Sequence, residues 1–186
     1  MTTDDWQRQR FAEVVLPHLG DALTLARWLT GSRADGEDVV QDASLRAFGA
    51  IGSFRDGSPR AWVLTIVRNT AFSWLRKNRP KIELVTSDDS VFEQAAPGLF
   101  DNGAAASPEA ALIAKADAAM VQDAIAALPI AYREIIVLRE IEDLSYREIS
   151  AVTSLPIGTV MSRLSRARKS LALRLGAPLP NDIGAP

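Results

Sequence analysis

Apolar residues recur along most of the chain at steps of three and four, the spacing of one face of an α-helix. Runs that alternate apolar and polar residues with β-branched enrichment are absent. The pattern predicts an all-α protein. Helix is expected over about Trp6 to Thr30, with a break near Pro17, because proline lacks the N–H that the helical ladder uses. Gly31 ends that stretch. The next helix is predicted to start near Asp35 as N-cap, with Glu37 and Asp38 placing negative charge on its first turn, and to run to about Ala50. Gly52, Gly57 and Pro59 mark a loop, and a long helix follows from about Arg60 to Lys77 until Pro80 stops it.

Residues 81–111 abandon the periodicity. They hold Asp88-Asp89, Pro97-Gly98, Asn102-Gly103 and Pro108, the composition of a flexible acidic linker. Two small helical domains are therefore expected, residues 1–80 and 112–176, with a frayed tail over 177–186. In the second domain one helix is predicted from about Leu112 to Ala127. Another follows with Pro129 in its first turn and runs to about Glu140.

The sharpest local signal is Leu144-Ser145-Tyr146-Arg147-Glu148-Ile149. Ser145 and Glu148 have the S-x-x-E spacing of a capping box, and Leu144 and Ile149 occupy the two positions of a hydrophobic staple. The helix they start must be short, because Thr153-Ser154-Leu155-Pro156 follows at once. A second helix then begins near Ile157. Val160, Leu164, Ala167 and Leu171 form its apolar stripe, while Gly158, Ser162, Ser165, Arg166 and Lys169 lie opposite, flanked by Thr159 and Arg163. A short helix, a tight turn and a longer helix with small polar and basic residues outward describe a helix-turn-helix. Small residues admit it to the major groove, and arginines behind them can hold phosphates or read guanine. An ordinary helical hairpin with a basic solvent face is the competing reading.

The helix from Arg60 to Lys77 carries a second stripe. Leu64, Val67, Ala71 and Leu75 share one face and are core candidates, and Trp62, Thr65, Asn69, Phe72 and Arg76 share another, with Arg68 and Arg79 alongside. Aromatic, amide and cationic groups in one row suit single-stranded nucleic acid, where bases stack and cations track the backbone. Aromatics at helical spacing are also core residues, so Trp62 is expected to be at least partly packed inside.

Charge reinforces this picture. The net charge is −2, yet residues 60–82 carry six bases and no acid, and residues 145–174 six bases and one acid. Residues 83–111 carry six acids and no base, and residues 112–144 six acids and three bases. Two basic segments in an acidic chain are the footprint expected for nucleic acid. The acidic linker is expected to screen them from non-specific DNA. With 0 cysteines and a single histidine, His18, disulfides, thiolate metal sites and cysteine nucleophiles are excluded and a transition-metal site is not expected. His18 is assigned a structural or surface role. No cofactor and no catalytic residue is expected, since phosphate-cradling glycine loops and nucleophile motifs are missing. The absence of a run of ~20 apolar residues argues against membrane insertion, and the polar stretch Met1 to Gln9 lacks a signal-peptide core, so a cytoplasmic location is expected.

Two stretches together resemble the extracytoplasmic-function (ECF) branch of the sigma-70 family. The first is Asp35 through Phe48, then Phe54-Arg55, then Arg60-Ala61-Trp62 through Trp74-Leu75-Arg76. The second is Leu128-Pro129, Arg133-Glu134, Leu144 through Ile149, Pro156 through Val160, and Ser162 through Arg168. Their order and spacing match a sigma-2 domain followed by a sigma-4 domain. The resemblance implies a transcription initiation factor, not an enzyme, that directs core RNA polymerase to promoters and aids their melting.

It implies that Asp35, Glu37, Asp38, Gln41, Asp42 and Arg46 dock on the β′ clamp helices of core RNA polymerase, whose β flap is a further implied partner. It further implies that Phe54, Arg55, Arg60, Trp62, Arg68, Asn69, Phe72, Arg76 and Lys77 serve the −10 region, where the loop from Phe54 to Ser58 captures a flipped base. Gly158, Thr159, Ser162, Arg163, Ser165, Arg166 and Lys169 then read the −35 element, and an anti-sigma factor is the implied regulator. The chain departs from the family at Ser154, where glycine is frequent in the turn, and at Met161, where lysine is common. An autonomous helix-turn-helix regulator that binds DNA as a dimer without polymerase is the main alternative. A sigma-like decoy is a second, against which the basic helix over 60–82 argues.

Overall fold

The computed structural model describes residues 3–80 and 108–176, and every regular element among them is helical. The linker readings for 81–107 and the tail reading for 177–186 lie outside the described residues. The first module comprises α1 (Thr3–Val14), α2 (Leu19–Thr30), α3 (Arg33–Ala50) and α4 (Pro59–Asn78). A 3-10 turn over Leu16–His18 separates α1 from α2 where Pro17 falls, and another over Ile51–Ser53 follows α3.

Gly31 closes α2 in the left-handed region at φ 68, which a residue without Cβ adopts freely. The chain then passes straight into α3, earlier than expected. The cap is Ser32, not Asp35: the serine Oγ accepts from the Asp35 N–H at 3.3 Å. A hydroxyl directly after the αL residue captures the orphan donors first. Asp35 instead sits inside the first turn and pairs with Arg79 at 3.4 Å. Ser58 caps α4 by accepting from the Ala61 N–H at 3.2 Å, with Pro59 behind it. The core of this module is Leu25, Leu29, Val39, Ala43, Ile51, Leu64, Val67, Ala71 and Leu75, all buried. The predicted stripe of α4 is thus the one that packs. Where α2 crosses α3, Gly36 lies against Arg27: a Cβ there would stand 2.8 Å from Arg27 Cγ and 3.0 Å from its backbone nitrogen.

The second module comprises α5 (Pro108–Ala126), α6 (Ile130–Ile136), α7 (Tyr146–Thr153) and α8 (Ile157–Arg174). Helix α5 starts at Pro108, inside the stretch expected as linker, because proline's fixed φ opens a helix as readily as it breaks one. Pro129 is the cap residue of α6 rather than part of its first turn. The helix expected to reach Glu140 instead leaves α geometry at Val137 and makes a π-helical turn over Val137–Ile141. The Glu142 N–H reaches back five residues to the Val137 carbonyl at 2.9 Å.

The two modules pack on each other, α4 against α7 and α2 against α6, and their buried side chains form one continuous cluster. Arg133 fastens this contact. Its guanidinium donates to the Trp28 carbonyl of α2 at 3.3 Å, and also to the carbonyls of Ala126 and Leu128. Burial, with Arg79 nearby, lowers its pKa to about 10, so it stays charged at neutral pH.

Candidate nucleic-acid interface

Local chemistry builds the helix-turn-helix as its spacing predicts. Ser145 Oγ accepts from the Glu148 N–H at 3.3 Å, and Glu148 accepts from the Ser145 N–H at 2.9 Å. Those bonds from Ser145 hold the Glu148 carboxyl below its ordinary pKa. Leu144 and Ile149 are buried at the staple. In the turn, Ser154 takes the left-handed conformation at φ 58, which costs a residue with a Cβ roughly 1–2 kcal/mol. The Ser150 hydroxyl donates to the Leu155 carbonyl at 2.6 Å and pins the turn.

Along α8, Val160, Leu164 and Ala167 are buried. Gly158, Ser162, Ser165, Arg166 and Lys169 face outward, and Thr159 and Arg163 are half-buried on the flank. Arg163 lies close enough to the buried Glu134 to favour that carboxylate's charge.

The −10 candidates divide into two groups. Arg55, Asn69, Arg76 and Lys77 are exposed. Trp62 is half-buried, its ring 5.3 Å from that of Phe54, as expected for a residue that shares core and surface. An open cleft of about 360 Å³ lies between α1 and the loop after α3, lined by Trp6, Arg10, Phe54 and Arg55 among others. The Arg10 guanidinium stands 5.7 Å from the Phe54 ring centroid. Sequence reasoning missed Trp6 and Arg10, because only the folding of α1 back over the loop brings them there.

Arg60 and Arg68 turn instead toward the second module. Arg60 donates to Asp21 at 2.5 Å, to the Glu142 carbonyl at 2.7 Å and to the Glu142 carboxylate at 2.6 Å. Arg68 donates to Glu134 at 2.5 Å while its guanidinium lies 4.5 Å from the Phe72 ring centroid. Burial pushes both glutamates above the ordinary carboxylate pKa, against the pull of their arginines.

On α3, Glu37, Asp38, Gln41, Asp42 and Arg46 are exposed, and Asp35 is half-buried. Arg33 and Arg27 both bond Glu37 and hold its carboxyl below its ordinary pKa. Arg46 pairs with Asp42 at 2.9 Å. Leu45 stands among them 70% exposed. It went unnoticed, although it falls off the buried stripe of Val39, Ala43 and Ala47.

These features define a helical DNA-binding protein with two basic modules, one of them a helix-turn-helix. Residues 14–81 match the family Sigma-70 region 2, and residues 118–171 match Sigma-70, region 4. The chain is 35% identical over 167 residues to the RNA polymerase sigma-H factor of Pseudomonas aeruginosa, covering 88% of this chain and 85% of that protein. It is 36% identical over 144 residues to the ECF RNA polymerase sigma-E factor of Escherichia coli, covering 74% and 72%. Its fold resembles that of the sigma factor RpoE in complex with the anti-sigma factor NepR from Bartonella quintana. That likeness has a TM-score of 0.67 and 30% identity, over 89% of this chain and 96% of that one. The chain belongs to the ECF branch of the sigma-70 family, transcription initiation factors that direct core RNA polymerase to promoters.

Proposed function

We propose that the two modules divide promoter recognition between them. Residues 1–80 dock on core polymerase and bind the −10 element, residues 108–176 bind the −35 element, and the stretch between connects them. The observation that carries this reading is the pairing of two basic faces in family order: the aromatic and cationic surface around α4, then the exposed face of α8. The exposed face of α8, from Gly158 to Lys169, enters the major groove. Phe54, Arg55, Trp62, Asn69, Phe72, Arg76 and Lys77 engage the melted strand, with the cleft beside Trp6 receiving an unstacked base. The face of α3 centred on Leu45, with Asp38, Gln41 and Asp42 around it, meets the β′ clamp helices.

The protein supplies no covalent chemistry of its own. It offsets the cost of melting by binding what melting exposes, while nucleotidyl transfer belongs to the core enzyme. Among the described residues no helix is long and apolar enough to cross a membrane, and the protein acts in the cytoplasm, where the polymerase is. Because the similar RpoE is held by an anti-sigma factor, we propose that this chain is regulated in the same way.

Run-off transcription with purified bacterial core polymerase on a genomic promoter library tests the reading. Protein-dependent transcripts that share spaced −10 and −35 elements support it. No transcripts, together with tight sequence-specific binding by the protein alone, would replace it with the autonomous-regulator reading.

A further inference from the structure

The outer surface of α8 is not uniform. Gly158, Ser162 and Ser165 are small and exposed, and Arg166 and Lys169 lie among and beyond them. Beside this row stand two large apolar side chains, Ile157 at 46% and Met161 at 42% exposure. Four residues apart, they share one ridge of the helix. Ile157 directly follows Pro156, the N-cap residue, so the ridge begins at the tip of the helix. Val160, Leu164 and Ala167 fill the core from this helix and leave much of the ridge open to solvent. The surroundings suit DNA, since residues 145–174 carry six bases and one acid. In a helix-turn-helix the N-terminal residues of the second helix are the ones that meet base edges.

What such a ridge can select follows from the chemistry of the groove. Phosphates and most base edges offer charge, donors and acceptors. Isoleucine has no polar side-chain atom to answer them, and methionine has only a weakly accepting thioether sulfur. The 5-methyl of thymine is the apolar group that a base pair presents in the major groove. A cation in place of Met161 would be drawn to phosphate whatever the sequence. Methionine gains only where apolar surface leaves water, and its unbranched side chain adapts to the group it meets.

We propose that Met161, with Ile157 beside it, is a specificity-determining residue that selects a thymine in the −35 element through the 5-methyl group. The proposal rests on the reading of α8 as the helix that binds that element.

Deoxyuridine in place of thymine removes the methyl and keeps every hydrogen-bonding group of the base. Holoenzyme assembled from the full chain and core polymerase is bound to promoter duplexes recovered from the run-off library. Each −35 thymine, on either strand, is exchanged in turn, and affinity is read by fluorescence anisotropy at one salt concentration. Exchange at one thymine should weaken binding roughly fourfold, the effect of one buried methyl. Met161→Ala holoenzyme should bind the thymine and deoxyuridine duplexes equally at that position. Leu173→Ala removes a 67% exposed side chain from the same helix, about 18 Å along its axis from Met161, and should keep the native difference.

The proposal is overturned, without any variant, if deoxyuridine weakens native binding nowhere in the element. It is equally overturned if Met161→Ala retains the full difference. Either result with promoter-specific transcription intact sinks the methyl contact alone. Failure of the same holoenzyme to transcribe sinks the sigma reading and the proposal with it.

Discussion

Replacing Gly36 with alanine tests the close crossing of α2 and α3. At an open helical position the exchange stabilises by roughly 0.5–1 kcal/mol, because glycine loses more backbone freedom on folding. At Gly36 the new Cβ would meet Arg27 Cγ at 2.8 Å, Arg27 N at 3.0 Å and Arg27 Cα at 3.1 Å. The Cγ can swing aside. The backbone atoms can retreat only if α2 moves. Overpacking of this kind costs roughly 1–3 kcal/mol, so the expected net effect is a loss of about 1 kcal/mol. That corresponds to a Tm lower by about 2–4 °C for a chain of this length.

Gly49, in the same helix, has nothing within 4 Å of its notional Cβ. Gly49→Ala should therefore raise the Tm slightly. Paired thermal and urea melts read both variants. Because α3 carries the exposed face around Leu45, Gly36→Ala should also weaken binding to core polymerase, and Gly49→Ala should not. A Gly36→Ala protein that melts at or above Gly49→Ala would refute the assigned crossing.

Ser145→Ala should cost about 1 kcal/mol near neutral pH, by loss of the helix cap. Glu148 has a lowered folded pKa, so its contribution is present above the unfolded value of 4.5 and lost as pH falls through the folded one. The gap between native and Ser145→Ala stability curves should close at acid pH, and a constant gap would show that the box does not couple the two groups. Ser154→Gly should stabilise the turn by up to about 1 kcal/mol in a urea melt, since the left-handed backbone is free for glycine. Arg166→Ala should weaken binding to a −35 duplex by about 1–3 kcal/mol, read by anisotropy. Arg163→Ala should lower both binding and Tm, because Arg163 also favours the charge on buried Glu134. Leu45→Glu should leave the melt intact and reduce affinity for core polymerase in a pull-down titration.

What was legible in the sequence was local. The capping box, the apolar stripes of α4 and α8 and the stop at Gly31 depend on residues within two helical turns, and each packs as its spacing implies. The start of α3 was misplaced because Ser32 and Asp35 are both good caps, and only the backbone path out of Gly31 chooses between them. The ion pairs of Arg60 and Arg68 were not legible. Their basicity marked them as nucleic-acid ligands, but the glutamates that hold them lie 82 and 66 residues away. The sole hint was the acidic excess of residues 112–144, whose placement against α4 no local pattern encodes. Trp6 was invisible for the same reason, since the cleft it lines exists only after α1 has folded over the loop.

The π-helical turn over Val137–Ile141 gives the contact between modules an unusual genetic basis. One surplus residue per turn leaves Ile141 41% exposed and turns Glu142 inward to 5%. In a regular helix each residue added or removed rotates all that follow by about 100°. The latch on Arg60 is therefore set by register as much as by charge. Loss of one apolar codon in this turn would undo that pairing while keeping every acidic and basic residue, so chain length here, as much as charge, sets how α4 and the second module are joined.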